Sequence, residues 1–334
     1  MQRYPFSEVV FVLLLFILEG VSAFTSLVLG AVYISPSLFE VSPYSFIIYS
    51  IRIPTTISTS MIGADLALSG LVLQMLLRNP VMDPYVSGTA SGAGFGAVLS
   101  YVLLAFSFPI LLVEEVSPFL AFLFSVIATL LTLAIGKKGD TYSLVIGGIG
   151  GIVISYLFSA LIIVGELAIS KVTPQVPSLL FFLFGEIDDV SWVDTIILIN
   201  ATLILSYFTY TLGRKIDVLT LSDEVSFSKG INPRRYRFLV ISLVSAVVSV
   251  DVSIGGIIGF LGVISPHIVR GIIGGRSTSS LVLPVSLLGS SILLLSNVIS
   301  RGALGFSIPL TAVTSLIAVP VITSILRRGG SNAD

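Results

Sequence analysis

The stretch FLAFLFSVIATLLTLAI at residues 119–135 decides the fold class, because it holds no charged residue over its whole length. Similar near-continuous apolar runs occupy Val9–Leu18 and Ile196–Leu205. Runs approaching about 20 residues are typical of helices that span a bilayer. A spanning helix satisfies its own backbone hydrogen bonds, which lipid cannot do. The sequence therefore predicts an all-α, polytopic transmembrane helix bundle.

Composition excludes several other classes of protein. Hydrophobic residues make up 55% of the 334 and charged residues only 10%, with a mean hydropathy of +1.07. A soluble domain carries about 25% charged residues. The net charge of −1 gives no indication of a nucleic-acid partner, and the absence of cysteine excludes disulfides and thiolate metal sites.

About ten spans are predicted, in one transmembrane domain covering residues 1–334, with a polar insert at about 213–234. An uncleaved first helix is preferred over a signal peptide, because Glu19 interrupts its apolar stretch and many spans follow. The candidate spans are roughly 9–32, 54–76, 86–106, 118–135, 143–166, 192–212, 235–251, 258–273, 281–300 and 309–326.

The basic residues predict the orientation of the chain. With both termini cytoplasmic, all of the 17 lysines and arginines except Arg52, Lys171 and Arg301 fall on the cytoplasmic side. Positive residues are concentrated in cytoplasmic loops of membrane proteins. The bias therefore supports both the cytoplasmic termini and the even number of spans, in a multi-pass protein of the cytoplasmic membrane.

No catalytic, nucleotide-binding or metal-binding motif is found. No lysine stands in a G-x-x-x-x-G-K-[ST] loop, so the chain cannot cradle nucleotide phosphates by that route. His267 is the only histidine and HExxH is absent, which argues against a metal centre. We therefore predict that the chain is not an enzyme and binds no cofactor or metal. If transport is driven by ATP, another polypeptide must supply the ATPase.

The insert at 213–234 is the main polar feature. Leu219, Leu221 and Val225 indicate a short amphipathic helix, with Asp223-Glu224 near its start and Gly230 as its stop signal. One interpretation is a solvated loop that only obeys the charge topology. The other is a rigid element that docks a cytoplasmic partner.

Small residues and two carboxylates stand inside the spans. Pairs such as Gly92/Gly96 let helix backbones approach closely, so tight packing is the preferred interpretation for most of them. A pathway-lining role is an alternative for the cluster Gly147, Gly148, Gly150 and Gly151. Asp65 and Glu19 are candidates for a functional role, or for hydrogen bonds to neighbouring Ser or Thr residues.

An ordered set of motifs from about residue 50 to 328 resembles the FecCD-type permeases. The set consists of Arg52-Ile53-Pro54, Ser69-Gly70, Gln74, Arg78-Asn79-Pro80, Asp83-Pro84, Ser91–Ala97, Gly255–Arg270, Leu283-Pro284, Arg301 and Ile308-Pro309. These permeases are the membrane subunits of type II ABC importers for siderophores, haem and cobalamin. The resemblance implies a homodimer, two ATPase subunits that carry ATP and Mg, and an extracytoplasmic binding protein that delivers a metal chelate.

The resemblance also assigns roles to individual residues. It places the ATPase-coupling helix on Leu221, Ser222, Asp223, Glu224, Val225, Ser226 and Gly230. It places binding-protein docking on Arg52 and Arg301, the pathway wall on the Gly147–Gly151 cluster, and cytoplasmic-side motifs on Arg78, Asn79, Pro80, Pro266, His267 and Arg270.

The sequence departs from the family pattern at several of these places. Thr55 stands where a second outer arginine is common, and Asn297 where an aspartate is common. Ser222, Ser226 and Lys229 replace the usual Gly, Ala and Leu, and Asp65 replaces a small neutral residue. An ion-gradient-driven secondary transporter remains the alternative function.

Overall fold

The structure is a computed structural model. It describes residues 8–30, 32–102, 110–138, 141–142, 144–172, 184–188, 190–274, 277–303 and 306–330. Side chains are described over the same ranges except 110–115, 136–138, 141–142, 144–148, 170–172 and 324–330.

The described chain is almost entirely helical, which confirms the all-α prediction. A helix coincides with every one of the predicted spans. The helices are α1 (Glu8–Val28), α2 (Tyr44–Ile47), α3 (Ile53–Leu76), α4 (Thr89–Val102), α5 (Ile110–Gly136), α6 (Leu144–Val172), α7 (Trp192–Leu219), α8 (Asp223–Ser228), α9 (Pro233–Gly255), α10 (Leu261–Ile273), α11 (Thr278–Val298) and α12 (Leu310–Gly330). Short 3₁₀ or π turns cover Pro36–Leu38, Ile48–Arg52 and Ile299–Ala303, and Lys137–Lys138 pairs antiparallel with Thr141–Tyr142 in a minimal hairpin.

Among the described residues, 7 helices are long and apolar enough to cross a membrane, and two shorter apolar helices lie at Leu261–Ile273 and Leu310–Thr323. These helices differ in how far they are buried in protein. The most apolar window of Tyr44–Leu76 is 83% buried, whereas that of α1 is 22% buried. Helices that are little buried, such as α1, keep apolar surface on the outside, as lipid-facing helices do. The number of membrane crossings remains a prediction.

The chain divides into two compact units. The first comprises Met1–Leu71, Ile187–Arg214 and Phe260–Asp334. Its glycines allow close backbone contact, since a Cβ at Gly70 would lie 2.2 Å from the carbonyl oxygen of Gly262. Hydroxyl pairs link its helices as well, with Ser58 Oγ 3.0 Å from Thr195 Oγ1. Close contact at glycine and hydrogen bonds between hydroxyl groups are both common where membrane helices associate.

The second unit comprises Val72–Glu186 and Lys215–Gly259. The predicted pair Gly92/Gly96 packs α4 directly on α5. A Cβ at Gly92 would lie 2.5 Å from the carbonyl oxygen of Phe124, and one at Gly96 would lie 2.2 Å from that of Leu120. The close-packing interpretation of this pair is therefore confirmed.

Candidate coupling and docking sites

The predicted short helix in the polar insert is present as α8. The Ser222 side chain caps its start by accepting a hydrogen bond from the Val225 backbone N–H at 3.1 Å. Gly230 ends it in a left-handed conformation at φ 74°, and Ile231 N–H donates to the Ser226 carbonyl at 2.9 Å. Ser226 is buried, and its hydroxyl donates to the Ser222 carbonyl at 2.8 Å. The helix is thus fixed at both ends despite its length of 6 residues.

The outer surface formed by α8 and by Leu221, which lies just before it, is apolar as well as charged. Leu221 is 59% exposed and Phe227 is 58% exposed, and Glu224 is exposed between them in sequence. A loop whose only role is to be solvated has no need of large exposed apolar side chains. This surface therefore favours the docking interpretation of the insert.

The Arg78-Asn79-Pro80 motif forms the turn that ends α3. Asn79 N–H donates to the Gln74 carbonyl at 3.0 Å and Arg78 N–H donates to the Met75 carbonyl, while Arg78 has a φ of 51°. These hydrogen bonds and the positive φ form a helix C-cap of the type that usually has glycine at the left-handed position. The Asn79 side chain accepts from Val81 N–H at 3.1 Å, and Pro80 is exposed.

An ionic network joins this turn to α8 and α9 within the second unit. Arg237 on α9 donates to both carboxylate oxygens of Asp223, at 2.7 and 3.1 Å. Arg78 Nη2 lies 3.8 Å from the same carboxylate and donates to the Leu219 carbonyl at 3.1 Å. Burial lowers the pKa of Arg78, with a further lowering from Arg237, and Asp223 opposes both. Sequence reasoning missed Arg237 as the partner of Asp223, because no local pattern connects residues 14 positions apart.

Arg52, predicted to dock a binding protein, is 4% exposed and directed inward. Its guanidinium donates to the backbone carbonyls of Leu27 at 2.5 Å and Val28 at 2.9 Å, and also to that of Val32. A cation here satisfies carbonyls at the C-terminal end of α1 that have no partner in the helix. In this conformation Arg52 would have to leave these carbonyls to meet a partner, so the geometry favours a structural role.

Arg301, the second predicted docking residue, is also largely enclosed. Its Nε lies 3.3 Å from an Asp188 carboxylate oxygen. Thr55 is buried nearby, and its hydroxyl donates to the Asp188 backbone carbonyl at 3.2 Å. Asn297 is buried too, and its amide donates to Thr59 Oγ1 at 3.1 Å. The two departures from the family pattern therefore serve internal hydrogen bonds, and docking at Arg52 and Arg301 remains a prediction.

The predicted pathway glycines lie on α6. A Cβ at Gly150 would lie 2.6 Å from Ile135 Cγ2, and one at Gly151 would lie 2.5 Å from the Val86 carbonyl oxygen. These contacts favour packing over an open wall at both positions. The surroundings of Gly147 and Gly148 lie outside the part of the chain whose side chains the structure describes.

The second cytoplasmic-side motif lies on α10 in the first unit. Pro266 lies in the middle of α10 and is buried, and His267 and Arg270 are partly buried. Among the described residues, no group of three or more His, Cys, Asp or Glu side chains could hold a metal ion.

Both intramembrane carboxylates are hydrogen-bonded to hydroxyl groups, as one of the sequence interpretations had it. Asp65 is fully buried and accepts from Thr202 Oγ1 at 2.8 Å. Glu19 accepts from Ser60 at 2.7 Å and from Ser291 at 2.8 Å, with Ser290 also in contact at 3.0 Å. Neither carboxylate faces a basic residue in these bonds, so the arrangement resembles helix–helix anchoring more than a proton relay.

Long apolar helices, glycine-mediated packing and buried hydroxyl bonds are features of a multi-pass membrane protein. Comparison with known proteins then gives the family. The chain belongs to the FecCD transport family, whose model matches residues 14–328.

Curated relatives extend over nearly the whole chain. It is 31% identical to the molybdate import system permease protein MolB of Haemophilus influenzae, over 86% of this chain and 83% of the relative. It is 30% identical to the Fe(3+)-citrate import system permease protein YfmE of Bacillus subtilis, over 95% and 94%. A solved metal-chelate type ABC transporter in an inward-facing conformation matches with a TM-score of 0.76 and 28% identity, over 96% of this chain and 99% of that one.

Proposed function

We propose that this chain is the permease subunit of an ABC importer that moves a metal chelate across the cytoplasmic membrane into the cell. In this proposal it acts as a homodimer with both termini cytoplasmic. Two separate ATPase subunits bind ATP and Mg, and an extracytoplasmic protein delivers the substrate. Family membership and the absence of a phosphate-binding loop support this division of labour.

The observation that carries the proposal is the geometry of α8. It is capped at both ends and presents Leu221 and Phe227 to the outside. Buried aromatic and aliphatic anchors dominate the energy of protein interfaces. Nucleotide-driven closure of the ATPase pair would push on this surface and tilt the spans that follow, giving alternating access.

The substrate class follows from the relatives. Their names give iron chelatin, ferric citrate, cobalamin and molybdate. Three of these are metal chelates, and the solved transporter similar to this chain is of the metal-chelate type. We therefore favour a metal chelate over the molybdate oxyanion.

The test is uptake into proteoliposomes that contain this chain with or without its ATPases. Ferric citrate, cyanocobalamin and molybdate serve as labelled probes, each supplied with its binding protein. The proposal predicts uptake of one chelate that requires the ATPases and hydrolysable ATP. Uptake by this chain alone, driven by a proton or sodium gradient, would show a secondary transporter instead.

Variants of the docking surface test the role of α8 directly. Leu221→Asp and Phe227→Asp place a charge where an apolar contact is proposed, and we expect each to weaken ATPase binding about 30-fold, for a loss of about 2 kcal/mol per hot spot. Ser228→Asp, on the same helix and exposed, is the matched control. Wild-type affinity in both apolar variants would reject α8 as the docking element.

A further inference from the structure

The structure assigns Asp223, Arg237 and Arg78 a role as positioning residues: they form a clamp that holds α8 to α9 and to the turn after α3. The inference rests on the proposed function, in which α8 receives the ATPase. It divides the coupling segment into two parts. Asp223 contacts Arg237 and Arg78 and holds the helix, and the exposed residues Leu221, Glu224 and Phe227 meet the partner.

The first half of the clamp is the paired contact between α8 and α9. Asp223 stands in the first turn of α8, and Arg237 stands in the second turn of α9. Two parallel hydrogen bonds, at 2.7 and 3.1 Å, fix both the distance and the relative orientation of the two side chains. A guanidinium makes this fork geometry with a carboxylate and an ammonium group does not.

The second half of the clamp comes from the turn after α3. Arg78 Nη2 lies 3.8 Å from Asp223 Oδ1 and donates to the Leu219 carbonyl. One guanidinium therefore contacts the coupling segment at two points, before residue 220 and after residue 222. Its backbone is in the left-handed region, where glycine is the favoured residue and an arginine is strained. Such strain persists where the side chain is needed for another purpose. Here the purpose is the contact with the coupling segment.

The clamp matters because α8 is too short to be rigid by itself. A helix of 6 residues has barely passed the nucleation step of helix formation. A push on Leu221 or Phe227 would bend an unanchored segment. With Asp223 held from two sides, the same push is passed to α9 and to the turn after α3.

The functional test measures substrate transported per ATP hydrolysed in the reconstituted importer. Asp223→Asn and Arg237→Gln are expected to lower this ratio about tenfold while ATP hydrolysis continues. Arg237→Lys keeps the charge without the fork and should fall in between. Arg234→Gln removes an exposed charge from the first turn of α9 and serves as the control.

Arg78→Gly separates positioning from stability. Glycine relieves the left-handed strain, so the melting temperature should hold or rise while transport per ATP falls. If the melting temperature and the ratio both stay at wild-type values, Arg78 has no positioning role.

A second readout works without any ATPase. A spin label at Phe227→Cys in the otherwise cysteine-free permease should become more mobile when Asp223→Asn is added, and its mobility should be unchanged when Arg234→Gln is added. Equal mobility in all three proteins would overturn the clamp even if ATP-driven transport is found. An absence of ATP-driven transport in the wild type would instead reject the proposed function and leave the mobility result to decide on the clamp.

Discussion

Gly96→Ala should destabilise the protein. The added methyl group overpacks the contact between α4 and α5, and this cost exceeds the gain in helix propensity. The added Cβ would lie 2.2 Å from the Leu120 carbonyl oxygen and 2.4 Å from its carbon. Since ordinary van der Waals contact begins at 3.4 Å, the two helices must separate by about 1.2 Å, and neighbouring dispersion contacts weaken with them. Overpacking of this kind costs about 1–3 kcal/mol. The gain in helix propensity from Gly to Ala is at most about 1 kcal/mol.

The net expectation is a destabilisation of about 1–2 kcal/mol. The assay is thermal unfolding in detergent at one fixed scan rate, followed by circular dichroism, where this loss corresponds to a drop of about 1.5–3 °C in the melting temperature for 334 residues. Gly20→Ala on α1 is the matched control, because nothing lies within 4 Å of its added Cβ. It should be neutral or slightly stabilising. An equal response of the two variants would refute the packing argument.

Three further substitutions test internal contacts by the same unfolding assay. Arg52→Met removes the guanidinium that donates to backbone carbonyls of α1 and should lower the free energy of unfolding by about 2–3 kcal/mol. An unchanged melting temperature together with weaker binding-protein affinity would point to docking instead. Thr202→Val removes the hydrogen-bond donor to the buried Asp65 carboxylate and should lower the free energy of unfolding by about 1–3 kcal/mol. Asp65→Asn should leave the protein equally stable or make it more stable. A larger loss of stability in Asp65→Asn than in Thr202→Val would contradict the anchoring role. Asn232→Ala removes the cap that accepts from Arg235 N–H and should cost about 1 kcal/mol, so a loss below about 0.3 kcal/mol would argue against capping.

Features of the chain that depend on local pattern could be predicted from the sequence. Apolar runs locate the helices, because a spanning segment must satisfy its own backbone whatever surrounds it. The stop at Gly230 and the acidic start of α8 follow from capping and dipole rules that involve neighbouring residues only. Close packing at Gly92 and Gly96 follows from their spacing on one helix face.

Features that depend on long-range contacts could not be predicted. The partner of Asp223 is Arg237 because a turn brings α9 back beside α8, and no sequence pattern encodes that return. The family resemblance that makes Arg52 a docking candidate is the same whether its side chain points out or in. Only the position of the α1 carbonyls shows that it points in.

In the proposed importer, α8 lies in the cytoplasm and is covered by an ATPase. The chain contains no cysteine, so Leu221→Cys and Phe227→Cys each create a unique target for a membrane-impermeant maleimide. We predict labelling in inside-out vesicles but not in right-side-out vesicles, and protection from labelling once the ATPase subunits are bound. Labelling from the outer side, or labelling that bound ATPase leaves unchanged, would contradict the account.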